Sequence, residues 1–369
     1  MKICFYATIL KNKATGINNL IVNLINELSK NEHIDLIILG NKKINKEVLL
    51  KLQNVKRLNI IIDKNINVLT GGIYINKLYQ KHKFDYIFGV AGILPPFINK
   101  EINKILYIHD FVYKEFPGTM SFKVKLIMKV LGDYSIKKAN ILWTNSNYTL
   151  SLVKKYFDIT GKDVYVGASI DEVLYKKLDL SLENINKIKE RYGILNNKKV
   201  LLFVGTLEPR KNLDFLISLM PDLEKLKYQL IVVGGKGWGN TRIKDQIKNL
   251  NLSSESIKFL NYISDDELLE LYNVVDIYIS TSLNEGFGLP QLEAMYCGVS
   301  VVSAENSAMI EVVKNGGKLI SGWDKNKWIY EIEEVYKQRH MYSMLALKKS
   351  KLYNWKEIVK KFIEKIEGK

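Results

Sequence analysis

Short apolar runs alternate with amphipathic segments along the whole chain, the pattern of strands and helices in a doubly wound parallel sheet. In the first half the runs predict strands over Lys2–Thr8, Asp35–Leu39, Leu58–Ile62, Asp85–Val90, Lys104–His109 and Asn140–Asn145. Ile17, Leu20, Ile21, Leu24, Ile25 and Leu28 recur at i, i+3, i+4 spacing and predict a helix directly after the first strand. Around Val166 to Ile170 the pattern breaks, and a helical stretch over Asp171–Tyr192 leads into a second set of strands. These are Lys199–Gly205, Gln229–Gly234, Ile257–Leu260, Val274–Thr281, Val299–Ser303 and Lys318–Ile320. The tail, Tyr353–Ile366, places Trp355, Ile358, Val359, Phe362 and Ile366 on one face. Two α/β domains are expected, meeting near residue 170, with a terminal helix over residues 350–369.

A chain of 369 residues is too long for one ordinary core, which agrees with two domains. No run of about 18 apolar residues occurs, so no membrane-spanning helix is expected. The start, Lys2 to Leu10, is read as a strand rather than a signal core, because it lacks a small-residue cleavage site. Two cysteines, Cys4 and Cys297, build no disulfide or zinc framework and suit a reducing cytoplasm. The net charge of +16 is uneven: residues 1–170 hold 25 Lys and Arg against 12 Asp and Glu, a net of +13. Such a half suits an acidic partner (anionic lipid, a pyrophosphate-linked acceptor or nucleic acid), or is simply a lysine-rich solvated surface.

The chemistry is concentrated after the strand Val274–Thr281, in Glu285-Gly-Phe-Gly-Leu-Pro-Gln-Leu-Glu293. Gly286 and Gly288 open backbone dihedrals closed to other residues, so that successive N–H groups around Phe287 and Leu289 converge on an anion. Pro290 is expected at the first helical position, and the helix start adds positive potential. Glu285 before this nest and Glu293, expected in the first helical turn, would accept hydrogen bonds from hydroxyls on either side of a phosphate. A diphosphate flanked by two sugars is a nucleotide sugar. After the strand ending in Gly205-Thr206, Arg210 and Lys211 offer fixed positive charge to that diphosphate.

At these residues the chain resembles the retaining glycosyltransferases of family 4, which have the GT-B fold. The resemblance spans "YIHDFVYKEFPG" (107–118), "FVGTLEPRKN" (203–212), "YISDDELLELYN" (262–273) and "EGFGLPQLEAMYCGVSVVSAENSAMIEVV" (285–313). Within the family it looks most like bacterial enzymes that add mannose or a related hexose to surface polysaccharides. The resemblance implies two Rossmann-like domains facing a central cleft, an acceptor-binding one over 1–170 and a nucleotide-sugar-binding one over 171–349. The terminal helix, 350–369, then crosses back to the first. It assigns Arg210 and Lys211 to the diphosphate, Glu293 to the ribose, Glu285 to a hydroxyl of the transferred sugar and His109 to that sugar as well. Asp110 either orients the imidazole or caps the next turn. Thr15-Gly16 would approach the donor phosphate or the acceptor; Asn18 and Asn19 stand where the family has a small residue and a basic one, which leaves Gly16 alone in that role. The base would lie between Val233-Gly234-Gly235 and Tyr262-Ile263, where Tyr262 either stacks on it or is merely exposed. Ser146 and Asn147 either line the cleft or cap a helix. His33, His82 and His340 have no such context.

The expected activity is retaining transfer of a hexose, mannose from GDP-mannose by resemblance, from a nucleoside diphosphate sugar to a hydroxyl of a growing, lipid-linked surface glycan. No Asp-x-Asp occurs, so no metal or other cofactor is expected, and Arg210, Lys211 and the helix start carry the charge work. The rivals are a silent partner subunit of a glycosyltransferase complex, a sugar-nucleotide epimerase of the same fold, and a nucleic-acid binder suggested by charge alone. The last has no aromatic-interleaved basic motif behind it.

Overall fold

A computed structural model of the chain describes residues 1–11, 16–235, 240–250 and 252–368. The chain divides into two compact units, Met1–Asp171 with Tyr353–Lys369, and Glu172–Leu352.

The first unit is a seven-stranded parallel sheet: β1 (Lys2–Tyr6), β2 (Asp35–Gly40), β3 (Leu58–Ile62), β4 (Tyr86–Gly89), β5 (Asn103–Ile108), β6 (Ile141–Thr144) and β7 (Asp163–Val166). Their order is β3-β2-β1-β4-β5-β6-β7, every pair parallel. The reversal of order between β1 and β4 is the topological switch point of a doubly wound sheet, beyond whose carboxyl ends ligands bind. The second unit repeats the plan with six parallel strands: β8 (Lys199–Val204), β9 (Tyr228–Val233), β10 (Ile257–Leu260), β11 (Ile277–Ser280), β12 (Ser300–Ala304) and β13 (Lys318–Ile320). Their order is β10-β9-β8-β11-β12-β13, which sets β8 beside β11 across 70-odd residues of sequence. The central strands of both sheets, such as Leu201 to Phe203 and Leu230 to Val232, are buried on both faces, which is why they read as unbroken apolar runs rather than alternations.

The terminal helix, Trp355–Glu367, belongs to the first unit. Phe362 lies against Trp143 of β6 at a ring distance of 4.6 Å and against Tyr165 of β7 at 5.4 Å. Gly167 makes room for it: a Cβ there would meet Ile358 at 2.8 Å. Ser169 donates to the Tyr353 carbonyl at 2.8 Å, and the Tyr165 hydroxyl donates to that of Ile358.

Three expectations need correction. β7 was not legible, because a four-residue edge strand has too short a run to register and is held in place by its pairing to β6. The helix expected over Asp171–Tyr192 is confined to Leu182–Tyr192 and is capped by Ser181, whose side chain accepts from Asn184 N. Upstream, Leu178 N and the Lys176 carbonyl bond to the Asn273 side chain instead of to a helix turn. The third concerns Pro290: the helix Leu289–Tyr296 opens at Leu289, with Gly288 as its cap at φ 106°, ψ 57°, so Glu293 lies in the second turn rather than the first.

Candidate active site

In the second unit the adjacency of β8 and β11 brings together two loops far apart in sequence. After β8, a single 3₁₀ turn, Pro209–Lys211, ends on Asn212 in the left-handed conformation (φ 53°, ψ 39°), which Asn tolerates better than most residues. Leu283 N donates to the Arg210 carbonyl at 2.8 Å, and Thr281 Oγ1 to the carbonyls of Lys211 and Asn212 at 3.2 and 3.0 Å. The loops are thus stitched backbone to backbone, and their charged side chains meet. Arg210 Nη1 donates to Glu285 Oε2 at 2.8 Å and to the Asn284 carbonyl at 2.6 Å; Lys211 Nζ donates to Glu285 Oε1 at 2.5 Å. Ser282 Oγ adds a bond to Oε1 at 2.7 Å.

Glu285 is nearly buried, with 7% of its surface exposed. Burial alone would raise its pKa, but Lys211 and Arg210 beside it prevail and hold it at about 2. A second carboxylate, the more exposed Glu208, lies 3.9 Å from Arg210 on the side away from Glu285's bond, so two cations face two carboxylates, only one of them buried. A carboxylate has about four acceptor directions, so Glu285 keeps room for a further hydroxyl. Its own N–H donates to Ser307 Oγ at 2.9 Å. Ser307 has φ 49°, unusual for a residue with a Cβ, and donates to Asn306 Oδ1 at 2.9 Å.

Gly286, Phe287 and Gly288 are buried beside this cluster, and Leu289 is partly exposed at the helix start. The first N–H groups of a helix have no acceptor within it, and Pro290 has none to offer. Gln291 donates through Nε2 to Ser280 Oγ at 3.0 Å, and its buried Oε1 lacks a partner. Glu293, 9% exposed, accepts from the Tyr272 hydroxyl at 3.0 Å. Tyr272, Ser282, Gln291 and Ser307 were not singled out from sequence: Tyr272 reads as a core position of its helix, and the others carry no pattern of their own.

Gly205 and Gly234 end adjacent strands, and a Cβ on Gly234 would fall 1.9 Å from the Gly205 carbonyl oxygen. Glycine at 234 is what allows this approach. A Cβ on Gly205 would meet Lys211 Cε at 3.2 Å, so the bare backbone seats the lysine stem. Thr206 is exposed next to it; Tyr262, 47% exposed, and partly exposed Ile263 follow β10. The residues directly after Gly235 lie outside the described ones.

In the first unit His109 follows β5. Its Nε2 lies 2.7 Å from the Val90 carbonyl, which can only accept, so Nε2 carries the proton and Nδ1 is an acceptor. Burial lowers its pKa, outweighing the Val90 bond and Asp110, so the ring is neutral at pH 7. Asp110 accepts from Val112 N at 3.1 Å and so caps the following turn. The Asn145 side chain donates to the His109 carbonyl at 2.7 Å. His109 and Asp110 border a cavity of about 170 Å³ whose other walls are largely apolar, among them Ile17, Phe111, Met120, Val124 and Met128. Gly16 is exposed at the start of the helix Gly16–Leu28, one residue before Ile17; Thr15 lies outside the described residues. Ser146 is the cap of the helix Asn147–Tyr156, accepting from Thr149 N at 3.0 Å, and Asn147 is exposed beside it. Arg210, Lys211 and Glu285 are therefore in direct contact, Glu293 is held separately by Tyr272, and His109 and Gly16 belong to the other unit. Among the described residues no group of three or more His, Cys, Asp or Glu side chains is placed to hold a metal ion.

Residues 184–351 match the family described as "Glycosyl transferases group 1". Over 255 residues, 67% of this chain, the sequence is 26% identical to the serotype-specific mannosyltransferase WbdA of Escherichia coli. The match spans only 30% of that relative's length. It is 29% identical over 244 residues to the O-antigen chain mannosyltransferase B of Escherichia coli, covering 63% of this chain and 60% of that one. Among solved structures, Anabaena Alr3699/HepE in complex with UDP and glucose superposes with a TM-score of 0.76 at 19% identity, covering 100% of this chain and 99% of that one. WaaG, a glycosyltransferase involved in lipopolysaccharide biosynthesis, superposes at 0.72 with 14% identity and full coverage of both chains. Residues 184–351 of the second unit are thus similar to the glycosyl transferases group 1 family, a match over less than half of the chain, and the chain as a whole shares the GT-B fold of these solved structures.

Proposed function

We propose that the protein is a retaining, metal-independent glycosyltransferase that moves a hexose, mannose from GDP-mannose, to a hydroxyl of a growing, lipid-linked surface glycan. The observation that carries this reading is the Arg210–Glu285–Lys211 cluster, set beside a glycine-bounded helix start and stripped of most solvent. Its two cations and the helix N-terminus suit a diphosphate. Glu293 is the ribose acceptor, Glu285 meets a hydroxyl of the transferred sugar, and Tyr262 and Ile263 flank the base. His109 touches the sugar as a neutral group, and Gly16 allows close approach to phosphate or acceptor. The acceptor oxygen bonds to the anomeric carbon on the face from which the diphosphate leaves, and its proton passes to the departing phosphate oxygen. The protein's share is positioning and charge stabilisation. The mannosyltransferase names of the relatives favour mannose, and the O-antigen name of one favours a surface glycan. The basic first unit suits peripheral contact with an anionic membrane on the cytoplasmic side; no helix among the described residues is long and apolar enough to cross one.

Titration without metal against a panel of GDP-, UDP- and dTDP-sugars tests this directly. Selective heat of binding and slow hydrolysis are expected with GDP-mannose; binding of another donor would correct the sugar, and binding of none would favour a silent partner subunit. Arg210→Ala is expected to weaken the nucleotide sugar and the free nucleoside diphosphate alike, by ~10-fold or more, because one charged hydrogen bond is worth about 1.5–3 kcal/mol. Equal nucleotide affinity in variant and parent would remove Arg210 from the phosphate site.

A further inference from the structure

In the first unit, residues 121–132 (Ser-Phe-Lys-Val-Lys-Leu-Ile-Met-Lys-Val-Leu-Gly) form a helical turn pair, Phe122–Ile127 running into a π-helical turn at Met128–Gly132. The segment is apolar on two sides. Val124, Met128 and Gly132, four residues apart in each step, wall the cavity beside His109. Gly132 and Gly92 leave space for Met128, whose Cε is 3.3 Å from where either would carry a Cβ. The other stripe, Phe122, Leu126 and Val130, has the same spacing and faces outward at 73%, 50% and 58% exposure. Lys123, Lys125 and Lys129 interleave with it, and no acidic residue occurs between Phe116 and Gly132. The two acids that flank the segment are already engaged: Glu115 with Lys155 and Tyr156, and Asp133 with Tyr113 at 2.6 Å and Lys114 at 2.7 Å.

We infer that this outward stripe docks on a lipid surface with anionic headgroups, Phe122, Leu126 and Val130 entering the headgroup layer and the three lysines meeting lipid phosphates. Three large apolar side chains held in water on a short helix are costly, and an apolar protein partner would leave Lys123, Lys125 and Lys129 without counter-charge. An anionic interface answers both needs at once. The inference deepens the proposed reading, on which it rests for its acceptor: the helix that settles on the membrane also walls the cavity beside His109, where a lipid-borne acceptor would arrive.

The test is sedimentation of the full chain with vesicles of phosphatidylcholine alone or of phosphatidylcholine with phosphatidylglycerol. The parent is expected to bind only the anionic vesicles and to be released by salt. Lys123→Gln, Lys125→Gln and Lys129→Gln together should weaken this on the order of 100-fold, and Phe122→Ser with Leu126→Ser by ~10-fold or more. Melting temperature and nucleotide-sugar binding should stay unchanged in both sets. Parent-like vesicle binding by both sets, or no binding by the parent, overturns the inference without touching the donor reading. Loss of a dimer in the Phe122 and Leu126 variant, with vesicle binding kept, overturns it in favour of a self-association surface. Vesicle binding that follows these variants while no nucleotide sugar binds would sink the proposed activity and leave the docking surface standing.

Discussion

Glu285→Ala should lower the rate of sugar transfer at least ~100-fold. Glu285 holds both cations of the cluster, accepting from Arg210 at 2.8 Å and from Lys211 at 2.5 Å. Two charge-assisted bonds at about 1.5–3 kcal/mol each are worth roughly two to four factors of ten if both cations lose their aim. The variant also takes the main counter-charge from two partly buried cations, so a lower melting temperature is expected, and rates must be read on the folded fraction. Glu285→Gln separates the effects, since it keeps shape and one acceptor while losing the charge. The pair also predicts a pH signature. The folded carboxyl titrates at about 2 against a usual 4.5, so its stabilisation is complete above pH 4.5 and fades as the pH falls toward 2. The melting-temperature gap between parent and Glu285→Gln should therefore be constant above pH 4.5 and close below it. An unchanged transfer rate in Glu285→Ala would end the role proposed for this residue.

Glu293→Ala should raise the dissociation constant for the nucleotide sugar by ~100-fold, measured by calorimetry. The carboxylate is buried and held by the Tyr272 hydroxyl at 3.0 Å, which fixes its direction before any ligand arrives. Two ribose hydroxyls bonded to an oriented charge are worth about 3 kcal/mol at the low end of the usual range. Tyr272→Phe keeps the charge and loosens its hold, so a smaller loss, ~5-fold, is expected. Donor affinity that is the same with and without Glu293 would place the ribose elsewhere.

Much of the fold was legible because its signals are local. Strands such as Lys199–Val204 are unbroken apolar runs, the helix Gly16–Leu28 has its apolar positions at 3.6-residue spacing, and the terminal helix shows a single apolar face. Each of these depends on residues within a few positions of one another. The loop from Glu285 to Glu293 was legible in part for the same reason: Gly288 takes the left-handed backbone expected of it and a helix follows, whereas Gly286 has no positive φ and the helix opens one residue before Pro290. Elements held by distant partners were not. Four-residue β7 exists as an edge strand because β6 pairs with it, and the chain just before the helix Leu182–Tyr192 is held out of it where Asn273 takes the Leu178 N–H and the Lys176 carbonyl.

The same division runs through the candidate site. The sequence by itself put Arg210, Lys211, Glu285 and Glu293 at the carboxyl ends of strands, because a parallel α/β pattern sends every strand out on the same side of its sheet. Which charges meet was decided by strand order: Arg210 and Glu285 are 75 residues apart and touch because β8 and β11 are neighbours. Tertiary structure likewise decided that Glu293 would be aimed by Tyr272 and that Ser307 would hold the Glu285 backbone. Hydrogen bonds between residues remote in sequence depend on how sheets and helices pack, and no local periodicity records that packing.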